Sequence, residues 1–191
     1  MTRIEISRPM DVDKDELILF FDLVIRDTFD KEGLSTLQED IQTEIKTKIQ
    51  YLQSDYDSNG GERYFLIAKV GGTIVGTVEY GPSSVLINTV TNGSLKELFE
   101  IGTVFVHPEY QRRGIGTLLF NIMLLTFQSK GIDEFCLDSG YSTSQKVWTR
   151  KLGDTDYWLK DYWGEGSDHM IWKRNIKDVP ITFMGLKDWG G

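Results

Sequence analysis

The 191-residue chain has one cysteine, Cys136, and two histidines, His107 and His169. A lone cysteine excludes an internal disulfide and a multi-cysteine zinc cluster, and with so few imidazoles no metal site is expected. Long apolar runs are also missing, since none approaches the ~20 residues that cross a bilayer. The opening stretch MTRIEISRPMDVDKDE has no apolar signal core, so the expected location is cytoplasmic. Positive charge is in short supply: 21 Lys and Arg face 29 Asp and Glu, a net of −8. Nucleic acid and anionic lipid both demand a cationic face, so neither is expected as a partner. The deficit is uneven. Residues 1–60 carry 7 basic and 14 acidic side chains, and the remainder carries 14 and 15. That excess is either a solvated helical surface or an acidic approach for a cationic partner.

What is present is a globular balance, 40% hydrophobic and 26% charged. A domain of this length removes roughly 70% of its unfolded surface from water and needs no staple. Ile4 and Ile6 alternate with polar residues, so 3–8 is expected to be a strand. Leu17, Phe20, Phe21, Val24 and Ile25 predict a helix over about 13–29, and Leu37, Ile41, Ile45, Ile49 and Leu52, with Ser35 as a candidate cap, predict a second, followed by a loop from Asp55 to Gly61. Strands are expected at 64–70 and 73–80, joined by Gly71-Gly72 and ended by Gly81-Pro82. Residues 83–98 are ambiguous. A strand over 100–106 stops at His107-Pro108, a helix spans 114–129, and a short strand covers 135–137. A helix over 144–152 precedes strands at 156–163 and 167–173 across the Gly164-Glu165-Gly166 turn. Strands and helices alternate in the middle, which predicts an α/β protein with parallel pairing there and antiparallel hairpins on either side.

One segment carries recognisable chemistry. In Val106-His107-Pro108-Glu109-Tyr110-Gln111-Arg112-Arg113-Gly114-Ile115-Gly116-Thr117 a strand turns into a helix that begins with glycines and arginines. The first turn of a helix leaves N–H groups unpaired and its dipole favours an anion. Gly114 and Gly116 leave room for a phosphate to approach the backbone. The segment therefore reads as a pyrophosphate cradle. It is not a P-loop, which requires Gly-Lys-Ser/Thr, nor the dinucleotide fingerprint.

This segment resembles the acetyl-coenzyme A signature of the GNAT (Gcn5-related N-acetyltransferase) superfamily, and the element order is similar to that family over residues 4–174. The resemblance implies a GNAT-like acyl-CoA N-acyltransferase fold, with a mixed central sheet of about seven strands flanked by helices. Residues 4–174 would form the domain and 175–191, with Phe183 and Trp189, a tail that covers a sheet edge or meets a second subunit in a homodimer. It further implies an N-acetyltransferase with acetyl-coenzyme A as cosubstrate and no metal. Val104, Phe105 and Val106 would lie along the pantetheine arm, and Gln111, Arg112, Arg113, Gly114, Ile115, Gly116 and Thr117 would hold the pyrophosphate. The acceptor would be an amine, either a cationic small molecule or a peptide amine. The rival expectation is a non-catalytic acyl-coenzyme A binding protein on the same scaffold.

Acyl transfer to an amine needs a base for the ammonium proton, a donor for the oxyanion and a proton for the leaving thiolate. Glu100 stands eleven residues before Gln111, the spacing at which several family members place a catalytic glutamate, and is the candidate base. Alignment on Leu152-Gly153 puts Thr149 where the family's acidic tyrosine stands and Ser142 where it has Asn. Threonine is a poor acid. Tyr157 stands as the candidate donor, with Tyr141 and Tyr162 left open beside it.

The aromatics Trp148, Tyr157, Trp158, Tyr162, Trp163 and Trp172 are expected mainly in packing, with one or two free to wall an acceptor pocket. Lys146 and Arg150 are exposed helix charges or phosphate contacts. Cys136 is expected to be inert packing and His107 conformational. Asp168-His169 shows no third partner.

Overall fold

Apolar spacing at helical period gives the first helix its buried stripe. In the computed structural model, which describes residues 3–183, α1 spans Lys14–Lys31 and buries Leu17, Phe20, Phe21, Val24, Ile25 and Phe29. Before it runs β1 (Ile4–Ser7), and after it α2 (Gln38–Ser58) and β2 (Tyr64–Val70). The loop expected from Asp55 begins only at Asn59, whose φ of +48° closes α2. Asp55 explains the extension. Its fully buried carboxylate accepts Arg8 Nη2 through both oxygens at 2.9 Å and the Phe65 N–H at 2.9 Å, so it serves packing between elements rather than a turn.

Gly71 and Gly72, at φ +58° and +87°, form the tight turn into β3, which runs Thr73–Pro82, two residues past its expected end. The ambiguous stretch resolves into a short helix, α3 (Val85–Val90), capped by Ser84 Oγ accepting the Ile87 N–H. Then follow β4 (Phe99–Val106), α4 (Ile115–Ser129), β5 (Glu134–Ser139), α5 (Ser142–Leu152), β6 (Tyr157–Leu159) and β7 (His169–Asn175). The expected strand over 156–163 shrinks to three residues, because the chain from 160 turns on Asp161 and Asp168 instead of pairing. Asp168 Oδ1 accepts the Asp161 N–H and Asp161 Oδ1 accepts the Gly166 N–H.

The strands form a seven-stranded mixed sheet in the order β1-β2-β3-β4-β5-β7-β6, flanked by helices. The expected central parallel pair is β4 with β5; β1 with β2, β5 with β7 and β6 with β7 are antiparallel. The chain divides into two compact units. Among the described residues, the first holds 3–79, Thr103–Leu125 and 182–183; the second holds Tyr80–Gly102 and Thr126–Ile181. In the first, Leu17, Phe21, Phe65, Ile67, Ile74 and Leu119 are essentially inaccessible. In the second, Tyr80, Phe99, Phe127 and Phe135 form a chain of ring contacts with centroids 4.8–6.3 Å apart. Past β7, Ile176 and Val179 are 3% and 7% exposed, so the segment after 175 begins with core side chains. Phe183 is exposed, and Trp189 lies outside the described residues.

Candidate active site

In the first unit the end of β4 leads through a short 3-10 turn, Pro108–Tyr110, to the start of α4. His107 is tied into this turn: its Nδ1 accepts the Glu109 N–H at 3.3 Å and its own N–H donates to the Val75 carbonyl at 2.9 Å. Gln111 Nε2 donates back to the Val106 carbonyl at 3.2 Å, and its Oε1 accepts Lys31 Nζ at 3.0 Å. Arg112 and Gly114 then take φ of +62° and +91°. Gly114 caps α4, its carbonyl accepting the Leu118 N–H at 2.9 Å. No acidic side chain lies in the first turn of α4, where the helix dipole favours an anion.

The start of α4 is anchored from below. Ile115 is 1% exposed, and a Cβ at Gly76 would meet Leu119 Cδ1 at 2.8 Å and Ile115 Cγ2 at 3.0 Å, so glycine alone lets α4 approach β3 this closely. A Cβ at Gly116 would meet nothing nearer than Val106 Cγ2 at 3.4 Å, so that position has room around its backbone. This turn thus combines a helix start, two arginines and a rigid base, which suits a pyrophosphate. Val104, Phe105 and Val106 are half-buried along β4, and the Phe105 ring meets Phe21 with centroids 6.2 Å apart.

Just before them, Thr103 adopts φ +49° in mid-strand, a conformation β-branched residues rarely take. Its carbonyl accepts Thr77 Oγ1 at 2.8 Å and its hydroxyl donates to Glu79 Oε1 at 3.1 Å. Glu79 is fully buried and paired with Arg63 at 2.9 Å, which itself lies 3.4 Å over the Tyr51 ring. Burial pushes the Glu79 carboxyl up against the opposing pull of Arg63 and Lys48.

In the second unit, β4 pairs with β5 at Phe99–Phe135 and Glu100–Cys136, at the start of both strands. Strand alternation places Glu100, Cys136, Asp138, Ile171 and His169 on one sheet face, with Tyr157 opposite Ile171. The two candidate catalytic side chains, Glu100 and Tyr157, therefore share a face, and α3 lies over it: Ile87 and Leu95 pack with Cys136, Ile171 and Tyr157. Glu100 Oε2 accepts the Ser84 N–H at 2.6 Å, and Tyr157 Oη lies 3.0 Å from Ser94 Oγ. Cys136 is fully buried, and burial and then the Glu100 and Asp138 charges push its thiol pKa far up.

The spacing missed one pair on this face. His169 Nε2 lies 3.1 Å from Asp138 Oδ2, across antiparallel strands and 31 residues apart, a contact that sequence spacing does not show. On the opposite face, Ser142, Gln145, Lys146, Thr149, Arg150 and Met170 line a concavity of about 470 Å³, with Lys146 and Arg150 exposed. Trp148 and Trp172 are core residues, whereas Trp158, Tyr162 and Trp163 are exposed. Among the described residues, no group of three His, Cys, Asp or Glu is placed to hold a metal, and no helix is long and apolar enough to cross a membrane.

The chain is a member of the acetyltransferase (GNAT) family, whose family model matches residues 31–154. No curated protein matches the chain. Solved structures share its fold. The PaiA N-acetyltransferase of Thermoplasma acidophilum, in complex with coenzyme A, is 19% identical, covers 91% of this chain and 99% of its own, and superposes with a TM-score of 0.65. YncA of Salmonella typhimurium, solved with its cofactor acetyl-CoA, is 12% identical over 95% and 98% of the two chains, TM-score 0.66. The ribosomal-protein-alanine N-acetyltransferase of Brucella melitensis is 15% identical over 90% and 99%, TM-score 0.65.

Proposed function

We propose that this protein transfers the acetyl group of acetyl-coenzyme A to a primary amine by direct attack. The observation that carries the reading is the Gln111–Thr117 turn, where Arg112 and Gly114 at positive φ deliver the chain into an acid-free helix start. There the N–H groups of Ile115, Gly116 and Thr117, with Arg112 and Arg113, hold the cosubstrate's pyrophosphate, and main-chain groups of Val104–Val106 pair with its pantetheine arm. Membership of the acetyltransferase family, and the coenzyme A and acetyl-CoA bound by two proteins of the same fold, support this assignment.

Glu100 takes the proton from the acceptor's ammonium, directly or through a water. The freed nitrogen attacks the thioester carbonyl carbon, and the C–N bond forms as the carbonyl oxygen becomes an oxyanion that a β4 N–H stabilises. Collapse breaks the C–S bond. Sulfur leaves as thiolate and takes a proton, for which Tyr157 is the proposed donor. The nitrogen's remaining excess proton passes to solvent, so one ammonium and one thioester give one amide, one thiol and one proton.

The second reading, a non-catalytic acyl-coenzyme A binding protein, is favoured by Thr149 at the family's tyrosine position. Free-thiol release from acetyl-coenzyme A with a panel of amines separates the two. Amine-dependent release with matching N-acetyl product supports the enzyme; binding of acetyl-coenzyme A without release for any amine supports the rival.

A further inference from the structure

Large aromatic side chains are rarely left together in water without a function. In the second unit Trp158, Tyr162 and Trp163 are 62%, 43% and 58% exposed. They are nevertheless fixed. The Trp163 and Tyr162 rings meet edge-on, 86° apart with centroids at 4.8 Å, and Trp163 Nε1 donates to His169 Nδ1 at 3.1 Å. An indole N–H can only donate, so Nδ1 of His169 is the unprotonated nitrogen and the ring proton sits on Nε2, directed at Asp138. Below the indole lies Gly140. A Cβ there would stand 2.9 Å from Trp163 Nε1 and 3.2 Å from His169 Nδ1, so any larger residue would displace the indole from this seat. Trp158 Nε1 donates to Asp168 Oδ2 at 2.6 Å, and the Asp161 N–H followed by that indole hold the Asp168 carboxyl below the usual carboxylate range. In sequence the 158–169 segment carries Asp161, Glu165 and Asp168 against Lys160, and Asp138 contacts His169 from β5.

We propose that the Tyr162–Trp163 pair, seated on Gly140 through His169, is the recognition surface for the alkylammonium group of a cationic acceptor. Its role as an acceptor surface rests on the acetyltransferase reading; the binding of ammonium does not. Two placements connect it to the chemistry. Gly140 follows Ser139, the last residue of β5, and the C-terminal ends of parallel strands are where α/β sheets bind ligands. His169 also shares its sheet face with Glu100. An alkyl amine with a pKa near ~10 arrives almost wholly as ammonium at neutral pH, and an aromatic face with nearby carboxylates prefers that cation to a neutral alcohol of the same size. The acetylated product is a neutral amide, so the attraction that gathers the acceptor is gone after transfer and does not retain the product.

The test follows the Trp163 indole N–H resonance, identified as the signal lost in Trp163→Phe, during titration with n-butylammonium chloride or n-butanol at constant ionic strength. Butylammonium is expected to shift it saturably, at least about tenfold more tightly than butanol. Trp163→Leu should weaken butylammonium binding about tenfold, read from the Trp158 indole signal, while Trp163→Phe recovers part of it. In turnover, Trp163→Leu should raise KM for butylamine with kcat nearly unchanged. Equal affinity for alcohol and ammonium, or a Trp163→Leu variant that binds butylammonium like the wild type, overturns the proposal. Ammonium binding at Trp163 with no thiol release for any amine leaves this surface standing and removes the acetyltransferase reading instead.

Discussion

The Thr103 carbonyl accepts the Thr77 hydroxyl at 2.8 Å, fastening the one residue of β4 that adopts a left-handed backbone. A β-branched residue at positive φ costs of order 1–3 kcal/mol and persists only where its surroundings hold it. Thr77 holds its carbonyl and Glu79 its hydroxyl. The residues that follow, Val104 to Val106, are those assigned to the pantetheine arm, so these buried side chains set the direction of that backbone.

Thr77→Val keeps the shape of a fully buried side chain and removes the donor. The variant is expected to lose about 1–3 kcal/mol of stability, the cost of leaving a buried acceptor unpaired. Urea unfolding followed by circular dichroism measures it. An unchanged midpoint and slope would show that the bond contributes nothing to holding the strand.

Gly114 sits at φ +91° at the head of α4. Gly114→Glu adds backbone strain and places a negative side chain where the pyrophosphate is assigned. Coenzyme A affinity measured by calorimetry should fall by more than about tenfold, since both the helix-dipole attraction and the close approach are lost. Undiminished affinity in a folded variant would remove the cradle assignment.

Cys136 is fully buried and its thiol is held far from ionising by burial and by the carboxylates of Glu100 and Asp138. Iodoacetamide at neutral pH should leave the native protein unmodified and label it only after denaturation, as intact mass shows. Turnover should accordingly survive alkylation conditions. Rapid native labelling accompanied by loss of activity would contradict the inert assignment and bring a thiol back into the mechanism.

Periodicity made the helices legible: the stripe of Leu17, Phe20, Phe21, Val24 and Ile25 is the buried face of α1. Gly71-Gly72 marked its turn, and the glycine-arginine segment marked the connection into α4, because both need backbone conformations that few residues supply. Local signals failed where distant contacts decide. Val85-Leu86-Ile87 has strand chemistry, yet the Ser84 cap makes it helical. Asp55 reads as a turn residue and instead closes a buried pair with Arg8. His169 finds Asp138 on the neighbouring strand and Trp163 across the turn, neither of which its own neighbourhood in sequence announces. The left-handed Thr103 has no sequence signature, since its conformation is imposed by Thr77 and Glu79.

General-base-assisted acetyl transfer is tested most directly by the pH dependence of kcat/KM for wild type and Glu100→Gln with one reactive amine. Gln keeps an oxygen for the Ser84 N–H that Glu100 accepts at 2.6 Å, so the fold and coenzyme A affinity should hold. Loss of the basic group should lower turnover at least about tenfold at neutral pH, within the usual worth of a positioned base. The loss should shrink toward high pH, where solvent already supplies the free amine. A variant that matches the wild-type rate across the neutral range would contradict the assignment of Glu100 as the base.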